Sequence, residues 1–172
     1  MSELVPAQRA RAEIVACETC GGKTQLDAAG RTRGERLITQ LYTQLRAAQA
    51  RAAELPVDVS SVRCLWACTR SCAVAVRSAT RVGYVIANLE PTEESAAALL
   101  DYAVLYAASE DGTVPYKQWP PALKGHFLCR FPKAAEFSAS DLGPGNDCGD
   151  TPHPEPDELT RPLDPQPEAT EP

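Results

Sequence analysis

Five cysteines sit in two short clusters, Cys17-Glu18-Thr19-Cys20 and Cys64-Leu65-Trp66-Ala67-Cys68-Thr69-Arg70-Ser71-Cys72. Each cluster follows a strand-like run: Glu13 to Cys17 is partly β-branched and stopped by Gly21-Gly22, and Val57 to Val62 shows a partial alternation. Between them, from Arg33 to Glu54, Leu37, Ile38, Leu41, Leu45, Ala48 and Ala52 recur at three- and four-residue steps. This is the pattern of an amphipathic helix, with Pro56 just past its end. A helix between two strands predicts a right-handed parallel crossover. Parallel strands deliver their C-terminal ends to one edge of the sheet, where open α/β sheets place ligands. The two clusters are therefore expected to converge on one site, although 44 positions separate Cys20 from Cys64.

The rest of the chain completes the sheet. Ala73 to Arg77 and Val82 to Ala87 are β-rich and joined by Ser78-Ala79-Thr80-Arg81, which predicts an antiparallel hairpin. Thr92 can cap a second helix, with Glu93 and Glu94 placed well against its dipole and Ala96, Leu99, Leu100, Ala103, Val104 and Ala107 along its length. The order β-α-β-β-β-α over residues 12–107 is that of an α+β, thioredoxin-like core with a mixed sheet. Residues 108–140 read as a C-terminal extension packed on that domain. There Tyr116, Trp119, Phe127 and Phe131 cover part of the core, and His126 to Phe131 forms a short strand or packed segment. Residues 141–172 hold nine acidic residues, one basic residue and eight prolines, the composition of a disordered tail.

Composition narrows the function. Seven cysteines, an odd number, exclude a framework in which every thiol is paired within the chain. The net charge of −6 argues against nucleic acid as a partner. The tail alone carries −8, which leaves residues 1–140 at +2. No apolar run has the length of a membrane span or a signal-peptide core, so a cytoplasmic protein without membrane attachment is expected. In a reducing compartment clustered cysteines more often bind metal or do redox chemistry than form structural disulfides.

Four thiolates converging on one site hold zinc or an iron–sulfur cluster, and their spacing alone leaves both open. The run Arg63-Cys64-Leu65-Trp66-Ala67-Cys68, then Ala73-Val74-Ala75-Val76, Gly83-Tyr84 and Leu89-Glu90-Pro91-Thr92, resembles the second half of thioredoxin-like [2Fe–2S] ferredoxins. The chain as a whole, through Cys17-Glu18-Thr19-Cys20, Val114-Pro115-Tyr116-Lys117 and His126-Phe127, also resembles a small bacterial family of predicted metal-binding proteins. The ferredoxin resemblance implies a [2Fe–2S] cluster with Cys64 and Cys68 on one iron and Cys17 and Cys20 on the other. It implies a one-electron carrier or cluster-bearing accessory protein, not an enzyme, with a redox protein as partner and a homodimer as a further state to consider. Where those ferredoxins commonly carry Gly-Pro, this chain has Ser71-Cys72. Cys72 is thus a spare thiol that could replace Cys20 as ligand, exchange during cluster transfer, or pack at the start of the next strand.

Two rivals stand beside this reading. One is a zinc- or cobalt-binding protein, a structural site or metal carrier. The other is a thiol–disulfide oxidoreductase using Cys17 and Cys20. Against the second, the helix that would acidify a thiol begins near Arg33, about a dozen residues past Cys20. Trp66 is expected to shield the centre or anchor its loop, and Arg63, Arg70 and Arg77 to offer a basic face to an acidic partner. His126 is expected to pack, Cys129 to be a core thiol by alternation with Phe127 and Phe131, and Cys148 to have no function.

Overall fold

A computed structural model describes residues 11–51 and 54–133 of the chain. The tail at 141–172, with Cys148, the last part of the extension, 134–140, and Ala52 lie outside the described residues. The chain divides after Phe137, and every described residue precedes that boundary.

The elements are β1 (Ala12–Cys17), α1 (Arg33–Arg51), β2 (Val57–Val62), β3 (Val74–Ser78), β4 (Arg81–Ile86), α2 (Glu93–Ala108) and β5 (Phe127–Phe131). The thioredoxin-like order β-α-β-β-β-α is present, and β5 adds a fifth strand. The sheet runs β2-β1-β3-β4-β5, with β1 and β2 parallel and every other pair antiparallel. A helix joins the parallel pair because such strands cannot be linked by a tight turn.

Both helices pack against β1 and β2 and against each other, so they cover one face of the sheet. Strand alternation puts Ala12, Ile14 and Ala16 of β1 under them, all essentially inaccessible to solvent. From α1 the stripe Leu37, Leu41 and Leu45 descends onto this layer. The α2 helix is buried along most of its length, and its start is capped by Thr92, whose Oγ1 accepts from Ser95 N at 3.2 Å. The opposite face carries Glu13, Val15, Ser60, Val62, Ala75, Arg77, Val85 and Phe131, and among the described residues no helix lies over it.

Of the four aromatic residues expected to cover the core, Trp119 and Phe127 pack on it, joined by Leu123, and Trp119 stacks on Phe127 at 3.8 Å between ring centroids; Phe131 is not in the core, because its pairing with Gly83 places it on the opposite face of the sheet. Tyr116 is exposed. Cys129 is exposed as well, not a core thiol. A bulge explains it: Phe127 pairs with Ile86, yet Cys129 pairs with the adjacent Val85. Successive residues of β4 point to opposite faces, so the extra residue sends Phe127 inward and Cys129 out.

Candidate functional site

The convergence expected from strand order is present, and more chain ends contribute than the crossover requires. Cys17 ends β1 opposite Val62, the last residue of β2, so Cys64 follows two positions beyond that pairing. The antiparallel β3 starts at Val74 beside Ala16, which brings Cys72 to the same edge. Leu89, beyond β4, exchanges backbone hydrogen bonds with Cys72 at 3.1 and 3.2 Å. The Ser71–Cys72 peptide bond is cis.

At this edge Cys17 Sγ lies 3.9 Å from Arg63 O and 4.0 Å from Thr19 Oγ1. Cys68 lies in the open, Cys64 is half-buried, and Cys17, Cys20 and Cys72 are buried. Among the described residues no cysteine is in a disulfide, and no three His, Cys, Asp or Glu side chains form a group that could hold a metal ion.

Backbone donors reach two of the sulfurs: Trp66 N donates to Cys64 Sγ at 3.3 Å and Ala73 N donates to Cys20 Sγ at 3.3 Å. The Trp66 donor holds the Cys64 thiol below its ordinary pKa, aided by Thr19 and its neighbouring thiols. The charge so favoured on Cys64 raises Cys68. Burial raises Cys17. The Cys72 contact and then burial raise Cys20, whereas Cys72 is lowered, first by the bond from Cys20 and then by the Arg33 guanidinium. Hydrogen bonding to a thiolate thus outweighs desolvation at Cys72, and the opposite holds at Cys17.

Arg33 was expected to lie too far along the chain to matter. The loop from Gly21 to Thr32 turns back, tied by Asp27 Oδ1 accepting from Ala29 N and Arg31 N, both at 2.9 Å. The start of α1 therefore returns to the cysteines: Gly34 N donates to Cys20 O at 3.2 Å. Arg33 Nη2 donates to Leu89 O at 3.2 Å and to Glu90 Oε1 at 2.9 Å.

Thr32 and Glu35 form a reciprocal cap, with Glu35 N on Thr32 Oγ1 at 3.0 Å and Thr32 N on Glu35 Oε2 at 2.7 Å. Thr32 Oγ1 also donates to Glu18 O, which pins the helix to the first cluster. The Thr-x-x-Glu spacing was readable in the sequence; its link to the cysteines was not.

Trp66 neither shields the centre nor anchors the loop, because its side chain is 93% exposed. Leu65 packs on the core in its place. Arg63 and Arg70 are exposed, while Arg77 is engaged by Glu13 at 2.8 Å. His126 is a packing residue, its Nδ1 3.0 Å from Ala87 O.

A family described as "Protein of unknown function (DUF1636)" matches residues 14–133, which span the sheet, both helices and all five clustered cysteines. The chain belongs to the DUF1636 family. No curated protein and no solved structure matches it. Among the described residues of this DUF1636 protein, no helix is long and apolar enough to cross a membrane.

Proposed function

We propose that this DUF1636 protein holds a [2Fe–2S] cluster on Cys17, Cys20, Cys64 and Cys68 and serves as a one-electron carrier or cluster-bearing accessory protein, not as an enzyme. One observation carries the reading: two backbone N–H groups, from Trp66 and Ala73, are aimed at two of these sulfurs, Cys64 and Cys20. A neutral buried thiol behaves as a small apolar group and needs no such donors. A thiolate bound to metal does, and hydrogen bonds to its sulfur also tune the potential of the centre. Four thiols carried by the segments that follow β1 and β2 have the donor chemistry of such a centre, and among the described residues no three His, Cys, Asp or Glu side chains are gathered closely enough to hold a metal ion, so binding would have to draw them together.

When bound, the cluster supplies reversible one-electron exchange with its ligands unchanged. The chain's own residues hold and screen it. Cys17 and Cys20 are fixed by β1 and the start of α1, and Leu65 closes the inner side against water. The exposed Cys68 puts the outer edge of the site within reach of a partner. Arg63 and Arg70, flanking that edge, suit an acidic redox protein.

Protein purified without air tests the proposal. Brown colour that bleaches with dithionite, with iron and sulfide in equal amounts, is the expected result. A colourless protein containing equimolar zinc would overturn it in favour of a zinc site. Cys20→Ser should lose the colour and Cys72→Ser should keep it, because Cys20 is one of the four proposed ligands and Cys72 is not.

A further inference from the structure

The cysteine edge is built in two halves of unequal firmness. Cys17 is the last residue of β1, and Cys20 is held twice, its carbonyl accepting from Gly34 N at 3.2 Å and its sulfur from Ala73 N at 3.3 Å. Both side chains are buried. Cys64 and Cys68 lie instead on the segment between β2 and β3, where Cys64 is half-buried and Cys68 exposed.

That segment is pinned at its two ends. Arg63 O accepts from Thr19 N at 3.3 Å and from Thr19 Oγ1 at 2.9 Å, and Arg70 O accepts from Asn88 N at 2.9 Å. Between the pins, and among the described residues, the backbone of 64–69 bonds only within the segment: Trp66 N donates to Cys64 Sγ at 3.3 Å, and Ala67 O accepts from Arg70 N at 2.9 Å. Leu65 and Ala67 turn toward the core but are only partly buried. Trp66 stands midway between the two thiols, fully in solvent and with φ at +59°, a region that a bulky side chain enters at a cost of about 1 kcal/mol or more. Few buried contacts and no backbone bond to the rest of the fold mark a segment that opens and closes locally.

The side chains reflect the same division. The topology brings all four proposed ligands to one sheet edge, yet Cys17 Sγ rests against Arg63 O and Thr19 Oγ1, Cys64 Sγ takes the Trp66 N–H, and no three such groups are gathered.

We propose that residues 64–70 form a hinged flap, open in the structure and turning on Arg63 and Arg70, whose closure gathers Cys64 and Cys68 with the fixed pair Cys17 and Cys20 around a thiol-seeking metal ion. The ion's part in this rests on the function proposed above. Hinges of this kind are a few residues at element ends that absorb the backbone change while the elements stay in place. Each thiol that becomes a ligand gives its proton to the buffer. Of the two roles proposed, an accessory protein that takes up and hands on its centre suits such a site best. The inner pair keeps its position while the outer pair opens, so exchange needs no unfolding of the sheet.

Limited digestion of the full chain with trypsin tests the flap, because the exposed Arg63 and Arg70 bound it. Reduced, metal-free protein is digested with and without zinc ion, and zinc uptake is measured on the same samples by dialysis and elemental analysis. Without zinc, cuts after Arg63 and Arg70 should be prompt. With zinc they should slow by about tenfold or more, since cleavage tracks the open population, while the cut after Arg51, at the far end of α1, keeps its rate. Amides of 64–70 should gain protection from hydrogen exchange in parallel. A Cys64→Ser/Cys68→Ser double variant, altered only on the exposed segment, should be cut promptly with or without zinc.

The flap is overturned if the zinc-free chain resists cutting at both sites, or if the double variant is protected as well as the parent. Zinc uptake with unslowed cuts would overturn the flap alone. No zinc uptake would overturn it together with the metal reading. Zinc-dependent closure in a protein that is colourless when purified without air would leave the flap standing and remove the cluster.

Discussion

Replacing Gly34 by alanine tests how α1 holds the cysteine edge. An added Cβ would stand 2.1 Å from Cys17 O, 2.5 Å from Glu18 O and 2.8 Å from the Glu18 carbonyl carbon. Non-bonded heavy atoms settle near ~3.5 Å, so the helix must retreat from β1 by roughly 1 Å. The obstructing atoms are backbone at the end of a paired strand and cannot swing aside. Retreat would also strain the Gly34 N to Cys20 O bond and the Thr32 bond to Glu18. Overpacking costs about 1–3 kcal/mol, and an immovable obstacle puts this case near the upper end. At about 3–5 °C per kcal/mol for a domain of this size, the melting temperature should fall by roughly 10 °C. Gly83→Ala is the control. Its Cβ would meet the Phe131 ring at 2.1 Å, but that ring is the far end of a side chain on an edge strand and can turn away, at about 1 kcal/mol. Thermal and urea unfolding followed by far-UV circular dichroism decide the matter. A Gly34→Ala protein that melts within about 2 °C of the parent, or above Gly83→Ala, would refute the reasoning.

Other perturbations have equally definite outcomes. Leu41→Ala removes a side chain with no accessible surface and should cost about 2–5 kcal/mol in urea unfolding, with an unchanged m-value. Among the described residues the buried Tyr102 hydroxyl has no hydrogen-bond partner, so Tyr102→Phe should raise stability by about 1 kcal/mol; a loss of that size would mean that water satisfies the group. Asp58, hydrogen-bonded by Arg11, and Glu13, hydrogen-bonded by Arg77 and then Ser60, both titrate below the usual carboxylate range. Their contribution is present above the unfolded-state pKa and is lost as pH falls through the lower folded value. The melting temperature should therefore drop below about pH 4, less steeply in Asp58→Asn than in the parent. Equal acid slopes in the two proteins would contradict this. Trp66→Phe should leave stability within about 0.5 kcal/mol while removing the emission that iodide quenches, because the other tryptophan, Trp119, is packed against Phe127.

The elements, their order and the sheet edge that carries the cysteines were legible from residue patterns. Each depends on local periodicity or on a topological rule: the Leu37, Leu41 and Leu45 stripe of α1, the Thr92 cap, and a strand–helix–strand crossover that brings the segments of Cys17 and Cys64 to one edge. Which thiols are buried, and which accept a backbone hydrogen bond, emerged only from the packed fold. The loop after Cys20 folds back to put Arg33 beside Cys72, which no separation along the chain could reveal. A single bulged residue in β5 turned Cys129 from the core to solvent, since a slip of one position exchanges the two faces of a strand. Cys72 looked like a spare in sequence; in the fold it is fully buried at the same sheet edge, tied to Leu89 by two backbone hydrogen bonds. The physical reason is the same throughout. Backbone periodicity is written residue by residue, but burial and contact arise where distant segments close on one another.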